Sequence, residues 1–88
     1  MIERDTIVVN PTGLHARPAV QFAACAKKYK SKIMIRQADG NPVNAKSIVM
    51  LLSCGLHLGD KAIIIAEGED ENEAADTLIK LIESGFGE

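Results

Sequence analysis

Lys61-Ala62-Ile63-Ile64-Ile65-Ala66-Glu67-Gly68-Glu69-Asp70-Glu71 is the stretch that decides the architecture of this 88-residue chain. Three consecutive isoleucines between alanines, bounded by Lys61 and Glu67, read as a strand apolar on both faces, hence a central one. Gly68 breaks it, and Asp70 with Glu73 three residues on forms an aspartate variant of the capping box. Ala74, Ala75, Leu78, Leu81 and Ile82 then recur on one face of a helix that Gly85 ends.

Upstream, Ser47 to Cys54 reads as a short apolar helix with Ser47 as N-cap and Gly55 as stop. Lys32 to Gln37 alternates through Ile33 and Ile35, turns at Asp39-Gly40-Asn41, and continues as a short edge strand over Pro42 to Ala45. From Ala16 to Tyr29, Ala19, Phe22, Ala23, Ala26 and Tyr29 recur at helical spacing. Glu3 to Val9 alternates as a first strand, with Ile7 and Val9 on one face, and Asn10-Pro11-Thr12-Gly13 ends it. The order β-α-β-β-α-β-α predicts an α+β fold, one sheet with helices on a single face. No composition shift or linker divides the chain, so residues 1–88 are expected to form one domain.

A hydrophobic content of 47% and a charged content of 25% exclude a disordered or fibrous chain. The net charge of −2 supplies no electrostatic reason to bind nucleic acid, and Phe22, Tyr29 and Phe86 fall on helices or in the tail rather than on base-stacking strands. No apolar run approaches the roughly 18 residues that cross a bilayer, and the N-terminus lacks a targeting pattern, so a cytoplasmic protein without a membrane partner is expected. Cys25 and Cys54 stand in no ligand or redox spacing and read as buried, reduced thiols. There is no phosphate-binding glycine loop and no cluster of metal ligands, so no cofactor and no metal is expected.

The tripeptide Gly-Leu-His occurs twice, at 13–15 and 55–57, and the residues after each copy separate them. After His15 come Ala16-Arg17-Pro18 and a helix, with Pro18 in the first turn, where a missing N–H removes no intrahelical bond. After His57 come Leu58-Gly59-Asp60 and a strand, which marks His57 as a solvated loop residue. Free backbone N–H groups and the positive end of a helix dipole therefore stand at His15 alone, and both favour a phosphate-sized anion. Arg17 adds a planar fork that grips phosphate oxygens in two places. A neutral imidazole attacks phosphorus without a separate base. By itself a lone histidine here would more often be an ordinary polar helix cap.

The context reverses that. Gly13-Leu14-His15-Ala16-Arg17-Pro18 closely resembles the active-site motif of the HPr family, the histidine-containing phosphocarriers of the bacterial phosphoenolpyruvate-dependent phosphotransferase system. Lys46-Ser47-Ile48 resembles the family's regulatory serine segment, and Ile65 to Glu71 its last strand entering its last helix. The resemblance implies an open-faced sandwich with strand order 1-4-2-3. It also implies that His15 accepts phosphate at Nδ1 from phosphorylated Enzyme I and passes it to an enzyme IIA, with Arg17 stabilising the transferred charge. Such a chain is a monomeric carrier that other enzymes use as substrate, not an enzyme itself.

Ser47 has two expected roles, as a helix cap and, by the resemblance, as a site for HPr kinase/phosphorylase. Val49, Met50, Leu51 and Leu52 are more apolar than one buried stripe needs, so Met50, Leu51 and Leu52 are expected to form a docking patch, with Lys27 steering acidic partners. The extra residue around Asp39 to Pro42 and the tail Ser84-Gly85-Phe86-Gly87-Glu88 look like the nitrogen-related branch. A nitrogen-related regulatory carrier and a regulatory binding module without phosphate relay are thus the alternatives to a sugar-uptake carrier.

Overall fold

The isoleucine-rich strand is central. In the computed structural model, which describes residues 1–88, Lys61–Glu67 (β4) lies antiparallel between Ile2–Ile7 (β1) and Lys32–Gln37 (β2). Val43–Asn44 (β3) pairs on the far side of β2, which gives a four-stranded sheet in the order β1-β4-β2-β3. Ala16–Ala26 (α1), Ile48–Ser53 (α2) and Glu71–Glu83 (α3) complete the fold, followed by a 3₁₀ turn over Gly85–Gly87. This is an α+β open-faced sandwich.

Register shows why three successive isoleucines are needed. Ile64 and Ala66 of β4 pair across with Ile35 and Ile33 of β2, Ala62 pairs with Gln37, and the five apolar residues among these are buried in the main core with Phe22, Leu51, Leu78 and Ile82 of the helices. Ile63, on the opposite face, is also buried, and Ile65 beside it is half-buried. Alternation places Ile64 against the helices and Ile63 and Ile65 on the open face of the sheet. Small alanines on β4 and α1 let the layers approach closely.

Four local expectations are corrected. The first strand ends at Ile7, and the face shared by Ile7 and Val9 is the outer one: both are exposed, whereas Val8 is buried. On β1 the helix-facing positions of the strand proper include Arg4 and Thr6, which reach Asp76 and Glu83 of α3 from the sheet edge. α1 stops at Ala26 rather than Tyr29, because Lys28 N–H and Tyr29 N–H bond three residues back, to Cys25 and Ala26, and tighten the last turn. Cys25 and Cys54 are free thiols but only half-buried, and desolvation pushes both thiols up.

The fourth correction concerns Asp70. It occupies the N-cap position of α3 but makes no side-chain cap bond. Its carboxylate instead accepts hydrogen bonds from Lys30 N–H at 2.8 Å, from Ser31 N–H at 2.9 Å and from the Ser31 hydroxyl. Glu71, the first residue of α3, reaches back and accepts from Gly68 N–H at 3.1 Å, closing the turn that precedes the helix. Asp70 thus ties the α1–β2 connection to the start of α3, and the Ser31 hydroxyl bond, followed by the Lys30 amide, holds its carboxyl below the ordinary aspartate range. A lowered carboxyl contributes stability that is complete above the unfolded-state value and is lost as pH falls through the folded one. Melting temperature measured from neutral pH down into the acid range should therefore fall less steeply in Asp70→Asn than in the parent; parallel acid limbs would contradict this.

Candidate functional site

Asn10-Pro11-Thr12-Gly13 forms a turn closed by Gly13 N–H to Asn10 C=O at 3.2 Å, with Pro in the second position where its fixed φ suits the turn. Asn10 is buried, and its side-chain amide donates to Gly13 C=O at 2.8 Å, fixing the exit of the loop. Leu14 is buried in the core, so His15 and Ala16 are carried out into solvent.

His15 occupies the N-cap of α1 with extended backbone, φ −121° and ψ 165°, yet its imidazole makes no cap bond. The ring is free, which removes the reading of His15 as a simple polar cap. Ala16 has φ +39°, a left-handed geometry that costs an L-residue about 1–2 kcal/mol. Ala19 N–H reaches His15 C=O at 3.3 Å, and Pro18 has no N–H. The amides left without an intrahelical acceptor are therefore those of Ala16 and Arg17. The helix begins at His15 C=O in its bonding, although Ala16, with its left-handed φ, is not helical in the ordinary sense.

Arg17 is exposed on the first turn. Its charge acts on Glu88, whose carboxylate accepts from the Thr12 hydroxyl at 2.7 Å and from the Asn10 amide at 3.1 Å. These two bonds, with Arg17 adding a smaller share, hold the Glu88 carboxyl below its ordinary range. The tail from Gly85 is thus folded back onto the loop before His15, and Gln21 Nε2 on α1 donates to Phe86 C=O at 3.4 Å.

The second Gly-Leu-His tripeptide arrives at the same place. Leu14 N–H donates to Leu56 C=O at 3.0 Å, and the His15 and His57 ring centroids lie 5.7 Å apart. His57 is solvent-exposed, as expected of a loop residue, but the loop is beside His15. The signal was present in the repeated tripeptide; spacing along the chain does not say that the two copies meet.

Ser47 caps α2 as expected: its Oγ accepts from Met50 N–H at 3.2 Å, and its C=O accepts from Leu51 N–H at 3.0 Å. Replacing it with alanine removes one first-turn acceptor, so Ser47→Ala should lose about 1 kcal/mol in denaturant unfolding with an unchanged slope. The docking patch needs one correction. Val49, Met50 and Leu52 are exposed, at 74%, 40% and 42%, but Leu51 is fully buried and available to no partner. Leu51 is the position of this six-residue helix turned fully into the core, with Ile48 half-buried against it. Lys27 is exposed at the C-cap of α1, about 18 Å along the helix from His15. It stands at the opposite end of α1 from His15.

An open-faced sandwich that presents an unbonded histidine at a helix start, two free amides and an adjacent arginine defines a class of small carriers suited to a covalently held anion. Residues 2–84 match the family described as PTS HPr component, phosphorylation site. The chain is 45% identical over 84 residues to the phosphocarrier protein HPr of Borreliella burgdorferi, covering 96% of each. It is also 45% identical over 83 residues to the HPr-like protein Crh of Halalkalibacterium halodurans, covering 94% of this chain and 98% of the relative. The crystal structure of an HPr from Thermoanaerobacter tengcongensis superposes with a TM-score of 0.95 at 46% identity, over 100% of this chain and 98% of that one. The chain belongs to the HPr family of phosphocarriers, which are carriers and not enzymes. No helix is long and apolar enough to cross a membrane.

Proposed function

We propose that this protein carries a phosphoryl group on His15, received from phosphorylated Enzyme I and passed to an enzyme IIA in the cytoplasm. The observation that carries the reading is the unbonded, exposed imidazole of His15 at the start of α1, next to Arg17 and two free amides. A lone pair on the ring, Nδ1 by family resemblance, attacks phosphorus, and the bond between phosphorus and the donor breaks with its electrons leaving on the donor. Arg17 and the Ala16 and Arg17 amides receive the phosphoryl oxygens. Transfer onward is the same displacement with the partner's nucleophile attacking and the His15 ring leaving.

Incubation with phosphoenolpyruvate and Enzyme I should add one acid-labile, base-stable phosphoryl group, found at His15 by intact mass and peptide mapping. A protein that stays unlabelled, or labels elsewhere, overturns the reading. Met50 and Leu52 form the apolar part of the docking surface in this proposal, with Val49 beside them. Ser47 serves as a regulatory site for HPr kinase/phosphorylase: its phosphate would add about −1.5 to −2 charges at the start of α2, beside that surface, and repel or desolvate a docking partner. An acid-stable adduct formed with ATP and the kinase, absent in Ser47→Ala, tests this.

The kinship with the HPr-like protein Crh brings a second reading, a regulatory module that binds without relaying phosphate. The presence of both His15 and Arg17 favours the relay. Transfer assays with a sugar-type and a nitrogen-type enzyme IIA separate the uptake branch from the nitrogen-related one.

A further inference from the structure

We propose that His57 is a second phosphate-facing group, an imidazolium that donates a hydrogen bond to the phosphoryl group carried on His15. The inference rests on His15 as acceptor and adds a positioning residue that the first tripeptide alone does not contain.

The two Gly-Leu-His segments are locked together by backbone. Leu14 N–H donates to Leu56 C=O at 3.0 Å, and Gly13, at φ +67°, sits so close that a Cβ there would fall 2.5 Å from Leu56 C=O and 2.9 Å from His57 Cα. The His15 and His57 rings, 5.7 Å apart and tilted by 48°, are therefore held by two apposed loops rather than by chance rotamers of long side chains.

The imidazole of His57 is not needed for its own loop. Asp60 closes that turn through main-chain groups: its carboxylate accepts from His57 N–H at 2.9 Å, and its own N–H donates to His57 C=O at 2.9 Å. Any residue with an N–H would serve. Yet the ring is directed, because Nδ1 lies 3.6 Å from the same Asp60 oxygen. With Asp60 on the Nδ1 side, Nε2 is the nitrogen left free to face another group. The ring is 66% exposed, so core packing does not account for it either.

Two titratable side chains stand close to the His57 ring: Asp60 and His15. Arg17 acts instead on Glu88. A phosphoryl group on His15 replaces an uncharged or cationic neighbour with an anion carrying three acceptor oxygens. The His57 proton affinity should then rise roughly three- to tenfold, the effect of one charge about 6 Å away in a largely aqueous setting. By linkage the phosphoryl group is held more firmly when His57 is protonated.

The test is an NMR titration of the imidazole resonances and of the phosphorus resonance in the protein before and after phosphorylation. Loading uses phosphoenolpyruvate with Enzyme I, and in parallel phosphoramidate, which phosphorylates histidine without any partner. The expected result is an upward move of the His57 titration on phosphorylation, and a phosphorus titration step that coincides with it and is missing in His57→Ala and His57→Gln. Asp60→Asn should keep the rise. A His57 titration identical in both forms, with an unchanged phosphorus curve in His57→Ala, overturns the proposal. Failure of Enzyme I to load a protein that phosphoramidate loads at His15 counts against the carrier reading and leaves the His57 contact readable in the chemically loaded protein.

Discussion

His15→Ala is expected to fold and melt like the parent and to take up no phosphoryl group from phosphoenolpyruvate and Enzyme I. The stability half follows from the structure: the imidazole is exposed and makes no cap bond, so its removal leaves no buried group unsatisfied and opens no cavity. The activity half follows from chemistry, since the acceptor nitrogen at the helix start is gone and the neighbouring His57 ring sits on a loop without helix amides behind it. Arg17→Ala should keep the acceptor and slow transfer by about 10- to 100-fold, less than the loss of a buried oxyanion donor because Arg17 is exposed. Arg17→Lys should recover part of that rate, because it restores the charge without the planar fork. Rapid-quench measurement of transfer to enzyme IIA reads both variants. Full labelling of His15→Ala would refute the assignment of the acceptor.

Gly13→Ala should be the most destabilising single substitution near the site, and should damage transfer without touching a charged group. A left-handed φ of +67° costs an L-residue about 1–2 kcal/mol, and forcing a methyl against backbone typically adds about 1–3 kcal/mol. Here the obstructing atoms are Leu56 C=O and His57 Cα, which cannot swing aside as a flexible side chain would. A combined loss of about 2–5 kcal/mol lowers the melting temperature of a domain this size by about 10 °C or more. Gly59→Ala is the control. Gly59 also has a positive φ, +91°, but a Cβ there meets nothing within 4 Å, so it bears the backbone strain alone. Equal melting temperatures for the two variants would show that the contact between residues 13 and 56–57 is not tight.

Much of the fold is legible along the chain because its causes are local. Lys32–Gln37 and Lys61–Glu67 have the limits that alternation and the isoleucine run prescribe, and the Ser47 cap is where a serine before an apolar run places it. The errors sit where a local rule met a stronger distant partner. Asp70 has the sequence signature of a capping box, but the Ser31 hydroxyl and the Lys30 and Ser31 amides, some 40 residues away, claim its carboxylate. Met50, Leu51 and Leu52 are equally apolar in sequence, and only the packing of α2 on the core distinguishes the buried Leu51 from its exposed neighbours.

The start of α1 shows the same division. Pro18 marks the first turn plainly, yet nothing in the local sequence dictates the left-handed Ala16 that separates the His15 ring from the helix proper. That geometry persists because the Asn10 turn, the buried Leu14 and the Leu14–Leu56 bond fix the chain on one side, and α1 fixes it on the other.

Periodicity, turn residues and the motif around His15 determined by themselves the element order, the central strand and the place of the proposed acceptor, since each depends on neighbours a few residues apart. The tertiary structure alone decided that the two Gly-Leu-His tripeptides meet, that Glu88 folds back toward Arg17, and which apolar residue of α2 faces inward. Those outcomes depend on antiparallel pairing and layer packing between segments far apart in the chain, and no spacing along the chain encodes which distant groups then become neighbours.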